Sequence, residues 1–273
     1  MNHVGIHSPP RSGSTWLGCI LDSSPHVKYS YQPLFSYKYK SYLDVNATKE
    51  EINEFFQLIY SDKTDRFINQ IDAKEKEIIP SFQKTLCTHS VYKEVRYHHL
   101  IENVLTQNQK LLMVLLIRNP IDTLNSWINA PKEFETAWSI EEEWLEANRK
   151  NLDSPENFYG FTGWKVYFQI MRQVKKKFPN QVFTISYSDL DQYPIETIQS
   201  TFSFLNLPFE ESTYQFIRSS KSFTNTDHYS VYKAKRKDYS YKLPDHIVQK
   251  IQNTDDYKLF TSYTFNSNPK TNI

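Results

Sequence analysis

The sequence predicts an α/β protein of three layers, with a central, mainly parallel β-sheet flanked by helices. Three observations predict it. Runs of strand character alternate with helix-periodic segments along the 273-residue chain. Leu111 to Ile117 is seven consecutive apolar residues, which suits a strand covered on both faces, and it is expected at the sheet centre. Two strands end in an arginine-bearing turn that runs straight into a helix, at Arg11 and at Arg118. No internal repeat, linker or low-complexity tract interrupts the chain, so residues 1–273 read as a single domain with a sizeable core.

The first strand is His3 to His7. It is followed by SPPRSGSTWLGCILD, where Trp16, Cys19 and Ile20 recur at helical spacing. Three of the five glycines, Gly5, Gly13 and Gly18, fall in this opening stretch. His26 to Tyr31 is the second strand. Thr48 and Glu51 form a capping box for a helix through about Tyr60. Asp62 to Phe82 is charged and weakly periodic and reads as loop or short helices. Thr85 to Arg96 is the third strand, Leu100 to Leu105 part of a helix, and Leu111 to Ile117 the fourth strand. Asn119 then caps a helix that starts at Pro120. Ser139 and Glu142 predict a capped helix through about Lys150, and Gly160 to Lys177 a longer one. Gln181 to Tyr187 is the last strand, Pro194 to Leu205 a helix, and Pro244 starts a final helix.

The strand, tight loop and helix around Arg11 aim backbone N–H groups and a helix dipole at one point, a seat for an anion. Ser12, Ser14 and Thr15 add hydroxyls and Arg11 a permanent charge. A phosphate is the expected ligand, although a turn with helix-capping serines would look similar. No Gly-Lys pair exists in the chain, so the GxxxxGK[ST] loop that binds ATP with magnesium is absent. Arg118 and Ser126 are eight residues apart, and two turns of helix can bring both to one anion.

Pro10-Arg11-Ser12-Gly13-Ser14-Thr15-Trp16 resembles the 5′-phosphosulfate loop of sulfotransferases, which use 3′-phosphoadenosine 5′-phosphosulfate (PAPS) and release 3′-phosphoadenosine 5′-phosphate (PAP). Arg118 with Ser126 resembles their 3′-phosphate pair, and Tyr187-Ser188-Asp189-Leu190 their YEDL segment, whose Tyr lies near adenine. The stretch Phe202 to Phe209 resembles the turn that follows. Ser230 to Lys233 and the basic cluster to Lys242 resemble the element that closes over the 3′-phosphate, where Lys233, Lys235 and Arg236 compete for the role. The resemblance implies the P-loop-like nucleotide-binding fold of that family. It implies a cofactor site built from Arg11, Ser12, Gly13, Ser14, Thr15, Trp16, Arg118, Ser126, Tyr187, Lys233 and Arg236, with Arg11 stabilising the departing phosphate.

The catalytic base is less legible. Many carbohydrate sulfotransferases carry Glu after the second strand, but this chain has Tyr31-Gln32-Pro33, and an amide accepts no proton at neutral pH. His89 or Glu94 is the candidate base, with Lys93 near the transferring group. An amine or self-ionised acceptor would need no base. Glu133 to Glu146 holds six acids and no Lys or Arg, which fits either a solvated helix face or a cationic acceptor.

The formal charge of +1 gives no global pull toward nucleic acid or anionic membrane. Two cysteines make no disulfide framework; Cys19 and Cys87 read as buried thiols in a reducing, cytoplasmic setting. No apolar run is long enough to span a membrane, and no metal-binding motif stands out. The acceptor is a hydroxyl or amine of a small molecule or carbohydrate, with oligomeric state left open. The competing reading is a non-catalytic PAP- or PAPS-binding protein.

Overall fold

A computed structural model of the chain describes residues 1–222, 230–232 and 241–267. Strand β1 (Asn2–His7) leads into α1 (Ser14–Asp22) and then β2 (Val27–Tyr31). Helix α2 (Lys49–Ser61) opens on the expected capping box, in which the Thr48 hydroxyl accepts from Glu51 N–H at 3.3 Å and the Glu51 carboxylate from Thr48 N–H at 2.7 Å. Next come α3 (Ile71–Glu75), β3 (His89–Glu94), α4 (Ile101–Gln107), β4 (Leu112–Ile117) and α5 (Pro120–Ile128). The Asn119 side chain caps α5 by accepting from Ile121 N–H at 2.9 Å. There follow α6 (Ile140–Glu143), α7 (Asn148–Asn151), α8 (Gly160–Lys177), β5 (Val182–Ser186), α9 (Tyr187–Gln192) and α10 (Pro194–Leu205). The described chain ends with α11 (Glu211–Ser222), α12 (Asp245–Gln252) and α13 (Asp255–Ser262). No helix among the described residues is long and apolar enough to cross a membrane.

The five strands pair in the order β2-β3-β1-β4-β5, and every pairing is parallel. The sheet centre is therefore β1, and β4, expected there from its unbroken apolar run, lies one strand out. Two histidines hide the central position of β1 in the sequence. His3 stacks on Phe56 with ring centroids 4.1 Å apart. His7 is buried, its Nδ1 3.0 Å from Nδ1 of His98 and its Nε2 3.0 Å from the Tyr92 hydroxyl. Burial pushes His7 down to about 3, so it sits in the sheet as a neutral, hydrogen-bonded ring.

Alternating side chains divide the core into two layers. On one face Val4, Val114 and Ile185 pack with Leu17, Phe202 and Ile217 from α1, α10 and α11. On the other, Met113 and Leu115 pack with Phe55, Val104, Trp127 and Phe168 from α2, α4, α5 and α8. Each such side chain stabilises the fold by roughly 1.5–3 kcal/mol when fully buried.

Four other expectations change. The strand predicted from Thr85 to Arg96 is paired only over β3, because Thr85 and Thr88 N–H bond to the carbonyls of Pro25 and His26 at 3.1 and 2.9 Å before the ladder starts. The single helix predicted from Ser139 to Lys150 is two short pieces, and the Ser139 side chain makes no cap bond. The carbonyls of Trp144 and Leu145, which a continuous helix needs, accept instead from Phe161 and Thr162 N–H at the start of α8, at 2.9 Å each. The helix at Pro244 is not the last, since Thr254 caps α13 by accepting from Tyr257 N–H at 3.2 Å. Cys19 is buried as expected, whereas Cys87 is only partly so.

Candidate active site

All strands point their carboxyl ends the same way, and the chain crosses from one side of β1 to the other between β3 and β4. A parallel sheet opens a crevice at such a switch point. Here it is a cleft of about 660 Å³, lined by Arg11 after β1, Arg118 after β4 and Ser126 on α5.

The loop between β1 and α1 is shaped by two left-handed residues, Arg11 (φ 65°) and Gly13 (φ 90°). A Cβ on Gly13 would also come within 2.4 Å of a Tyr187 ring carbon, so glycine is required by backbone and neighbour together. No side chain caps α1. Trp16 and Leu17 N–H turn back to the Gly13 carbonyl at 3.1 and 3.2 Å, and the preceding N–H groups of Ser14 and Thr15 are those the helix offers outward. Ser12 is fully buried, and its Oγ has no partner among the described residues. A buried donor at an uncapped helix start fits an anion.

Arg118 approaches the same loop. Its carbonyl accepts from the Trp164 indole N–H at 2.9 Å, which fixes the turn. Its guanidinium lies 4.7 Å from the Tyr187 ring centre, and its buried Nε has no partner among the described residues. Arg11, Gly13, Tyr187 and Arg118 thus form one continuous wall. Trp16 borders the cleft, but its indole is core, 1% exposed, with its N–H donated to Ser220 Oγ at 3.0 Å. Within the expected cofactor site, the Trp16 side chain therefore serves the core.

The three candidates on β3 separate. His89 opens the strand, paired with Asn2 and Val27 at the amino end of the sheet, opposite the cleft, and its Nε2 is 2.9 Å from the Leu205 carbonyl. It cannot reach an acceptor, and its assignment as base is corrected. Glu94 does not line the cleft; it is fully buried, accepts from Leu34 N–H at 2.8 Å, and is pushed up to about 8 by burial. Strand alternation turns Lys93 the other way. Lys93 lines the cleft, its Nζ 4.2 Å from the Tyr31 ring centre, and burial pushes it down to about 7.

Two residues missed in the sequence complete the far wall. Glu133 enters the cleft with its carboxylate 3.6 Å from Arg11 Nη1, and Tyr159 Oη donates to its other oxygen at 3.3 Å. The basic-free acidic run was the available signal. It resolves residue by residue, since Glu141 pairs with His246 on the surface and buried Glu143 accepts from Arg149 N–H at 3.1 Å, while Glu133 alone of these three enters the cleft. Arg96, at the end of β3, curls into the cleft over the Phe35 ring, 3.9 Å from its centre. Its Nε donates to Asn157 Oδ1 at 2.8 Å and its Nη1 to Gln32 Oε1 at 3.2 Å.

Lys233, Lys235 and Arg236 lie outside the described residues. The chain after them is anchored at the site nonetheless, because Lys242 and Leu243 N–H donate to Asn125 Oδ1, next to Ser126, at 2.8 and 3.3 Å.

The sulfotransferase domain family model matches residues 1–258. Mouse sulfotransferase SULT7A1, crystallised with PAP, superposes with a TM-score of 0.54 at 16% identity, covering 96% of this chain and 88% of its own. A sulfotransferase from Alicyclobacillus acidocaldarius gives 0.52 at 11% identity over 79% of this chain and 89% of its own. Sulfotransferase STF9 from Mycobacterium avium gives 0.51 at 13% identity over 97% and 78%. No curated protein sequence matches the chain. With the family match running through both arginine turns and all five strands, the chain belongs to the sulfotransferase domain family.

Proposed function

We propose that this protein, as a single domain of residues 1–273, moves the sulfuryl group of PAPS to a hydroxyl or amine of a small-molecule or carbohydrate acceptor. The observation that carries the reading is the convergence of the Arg11 loop and Arg118 on one cleft, joined through Gly13 and Tyr187. The unpartnered Ser12 Oγ and Arg118 Nε fit a ligand with two separated anionic groups.

The donor supplies an activated sulfuryl group. In the reading, Arg11, Ser12, Gly13, Ser14 and Thr15 hold the 5′ end, Arg118 and Ser126 the 3′-phosphate, and Tyr187 flanks the adenine. In transfer to a hydroxyl, the acceptor oxygen forms a bond to sulfur as the bond from sulfur to the 5′-phosphate oxygen breaks. The electron pair stays on PAP, where Arg11 and the loop amides stabilise it. Glu133 is the base that takes the acceptor proton, since it is the carboxylate beside Arg11. Lys93 lies near the transferring group. Glu133 also weighs against the non-catalytic reading, because it supplies the cleft with a carboxylate that Gln32 does not. Two cysteines without a disulfide support a cytoplasmic setting.

Calorimetric titration with PAP, with and without magnesium, tests the reading. Metal-independent binding that weakens by about tenfold or more in Arg118→Ala is the expected result. No PAP binding, or binding indifferent to Arg118, overturns it. Release of PAP from PAPS with an acceptor present separates enzyme from binding protein.

A further inference from the structure

The cleft has two unlike halves. The wall of Gly13, Tyr187 and Arg118 belongs to the donor, and Glu133 joins it to the far wall by touching Arg11 on one side and Tyr159 on the other. Among the described residues, eight basic side chains line the cleft against two acids, on a chain whose net charge is only +1. Several of these cations are not with the donor loops. Arg96 is 9% exposed, braced by two neutral amide oxygens, and stacked on Phe35. Lys93 is 1% exposed against Tyr31, and Lys150 on α7 lies 5.3 Å from the Tyr159 ring centre.

Among the described residues no carboxylate oxygen lies within 4.0 Å of the side-chain nitrogens of Lys93, Arg96 or Lys150. Glu94, Lys93's neighbour in sequence, faces away, and Glu133 is engaged by Arg11 and Tyr159. Withholding carboxylates from three cations around one space is costly to the protein alone and leaves a strong local field for an oxyanion. Gln32 takes part. An amide there holds the Arg96 fork without neutralising it, whereas a carboxylate at the same position would pair with it.

Resting on the donor reading above, we infer that the acceptor half is an anion seat formed by Arg96, Lys93 and Lys150, and that the acceptor carries an acidic group, a carboxylate, phosphate or sulfate, beside the group it offers. Phe35, Tyr31 and Tyr159 give the seat flat apolar walls, so a ring-bearing acid fits it.

Inorganic sulfate titrated into the PAP-saturated protein tests the seat. Sulfate is expected to bind, and to weaken by about tenfold or more in Arg96→Gln and measurably in Lys150→Gln. PAP affinity and melting temperature of each variant should stay near those of the parent, which shows that the donor half and the fold survive. Lys150→Gln, on a part-exposed short helix, keeps the test informative if Arg96→Gln does not fold. No sulfate binding in the presence of PAP overturns the inference. Sulfate binding that ignores both substitutions also overturns it, because the probe then sits by Arg11. Failure of PAP itself to bind removes the donor reading and this inference with it. PAP binding without a sulfate site removes the inference alone.

Discussion

The Glu133 carboxylate lies 3.6 Å from the Arg11 guanidinium, inside the cleft where the two arginine turns meet. Arg11 sits on the loop between β1 and α1 and Glu133 follows the helix that carries Ser126, so this pair ties the two turns together. In the proposed reaction, a donor entering the loop would compete for Arg11 and leave the carboxylate facing the acceptor.

Glu133→Gln should therefore preserve PAP binding and lower turnover by about 10²- to 10⁴-fold, the usual contribution of a positioned base. Glu133→Asp should recover part of the loss in kcat with little change in KM. Steady-state PAP release measures both. Turnover within twofold or so of the parent in Glu133→Gln would remove Glu133 from the mechanism.

Gly13→Ala meets both the φ of 90° and the Tyr187 ring. Destabilisation by about 1–3 kcal/mol is expected, together with loss of PAP affinity, because the loop must move off Tyr187. Thermal unfolding and PAP titration report the two effects. Adding Tyr187→Ala should relieve the clash and leave the backbone strain, restoring stability only in part.

Stability should dip near neutral pH because of two neighbours on β3. The Glu94 carboxyl is brought up to about 8 by burial, so from its ordinary value near 4.5 up to 8 the unfolded chain has released a proton that the folded one keeps, and stability falls as pH rises. The Lys93 ammonium is brought down to about 7, so from 7 toward 10.5 the unfolded chain holds the extra proton and stability rises with pH. Each contributes a slope of at most about 1.4 kcal/mol per pH unit. Denaturant unfolding across this range reads it. Lys93→Met should flatten the alkaline rise and Glu94→Gln the acidic fall; an unchanged profile in both would assign the dip to other groups.

Asn125→Ala should loosen the chain at residues 242–243, whose N–H groups it holds from beside Ser126. A stability loss of about 1–3 kcal/mol is expected, chiefly from the buried Leu243 N–H left unpaired. PAP should bind more weakly as well, because the segment that Asn125 holds lies beside Ser126. Equal PAP affinity in the variant would show that this anchor serves the fold alone.

The sequence and the structure agree most where local chemistry is self-contained. Thr48 with Glu51 and Asn119 with Pro120 specify their helix starts through bonds closed within a few residues, and both formed as expected. The strand, loop and helix around Arg11 were legible from the glycines and the helical spacing of Trp16, Cys19 and Ile20. What stayed hidden depends on partners far along the chain. Ser139 lost its helix to carbonyl bonds from residues 161 and 162. The helix α11 went unread although Thr213, Phe216, Ile217 and Ser220 repeat at helical spacing, because two of the four are polar and are buried only by the elements they meet. Glu133 and Arg96 are a surface acid and a strand-end base in sequence, and only folding brings them to Arg11 and Gln32.

The sheet order has a consequence for synthesis. β1, the middle strand, is made first, yet Asn2 pairs with His89 and Val4 with Leu112. At roughly 5–20 residues per second it waits on the order of ten seconds with both edges unsatisfied. Its sequence is suited to that delay, since His3, Gly5 and His7 interrupt what would otherwise be an adhesive apolar segment. The histidines that obscure the strand's central place in the finished sheet also guard the nascent chain against pairing too early.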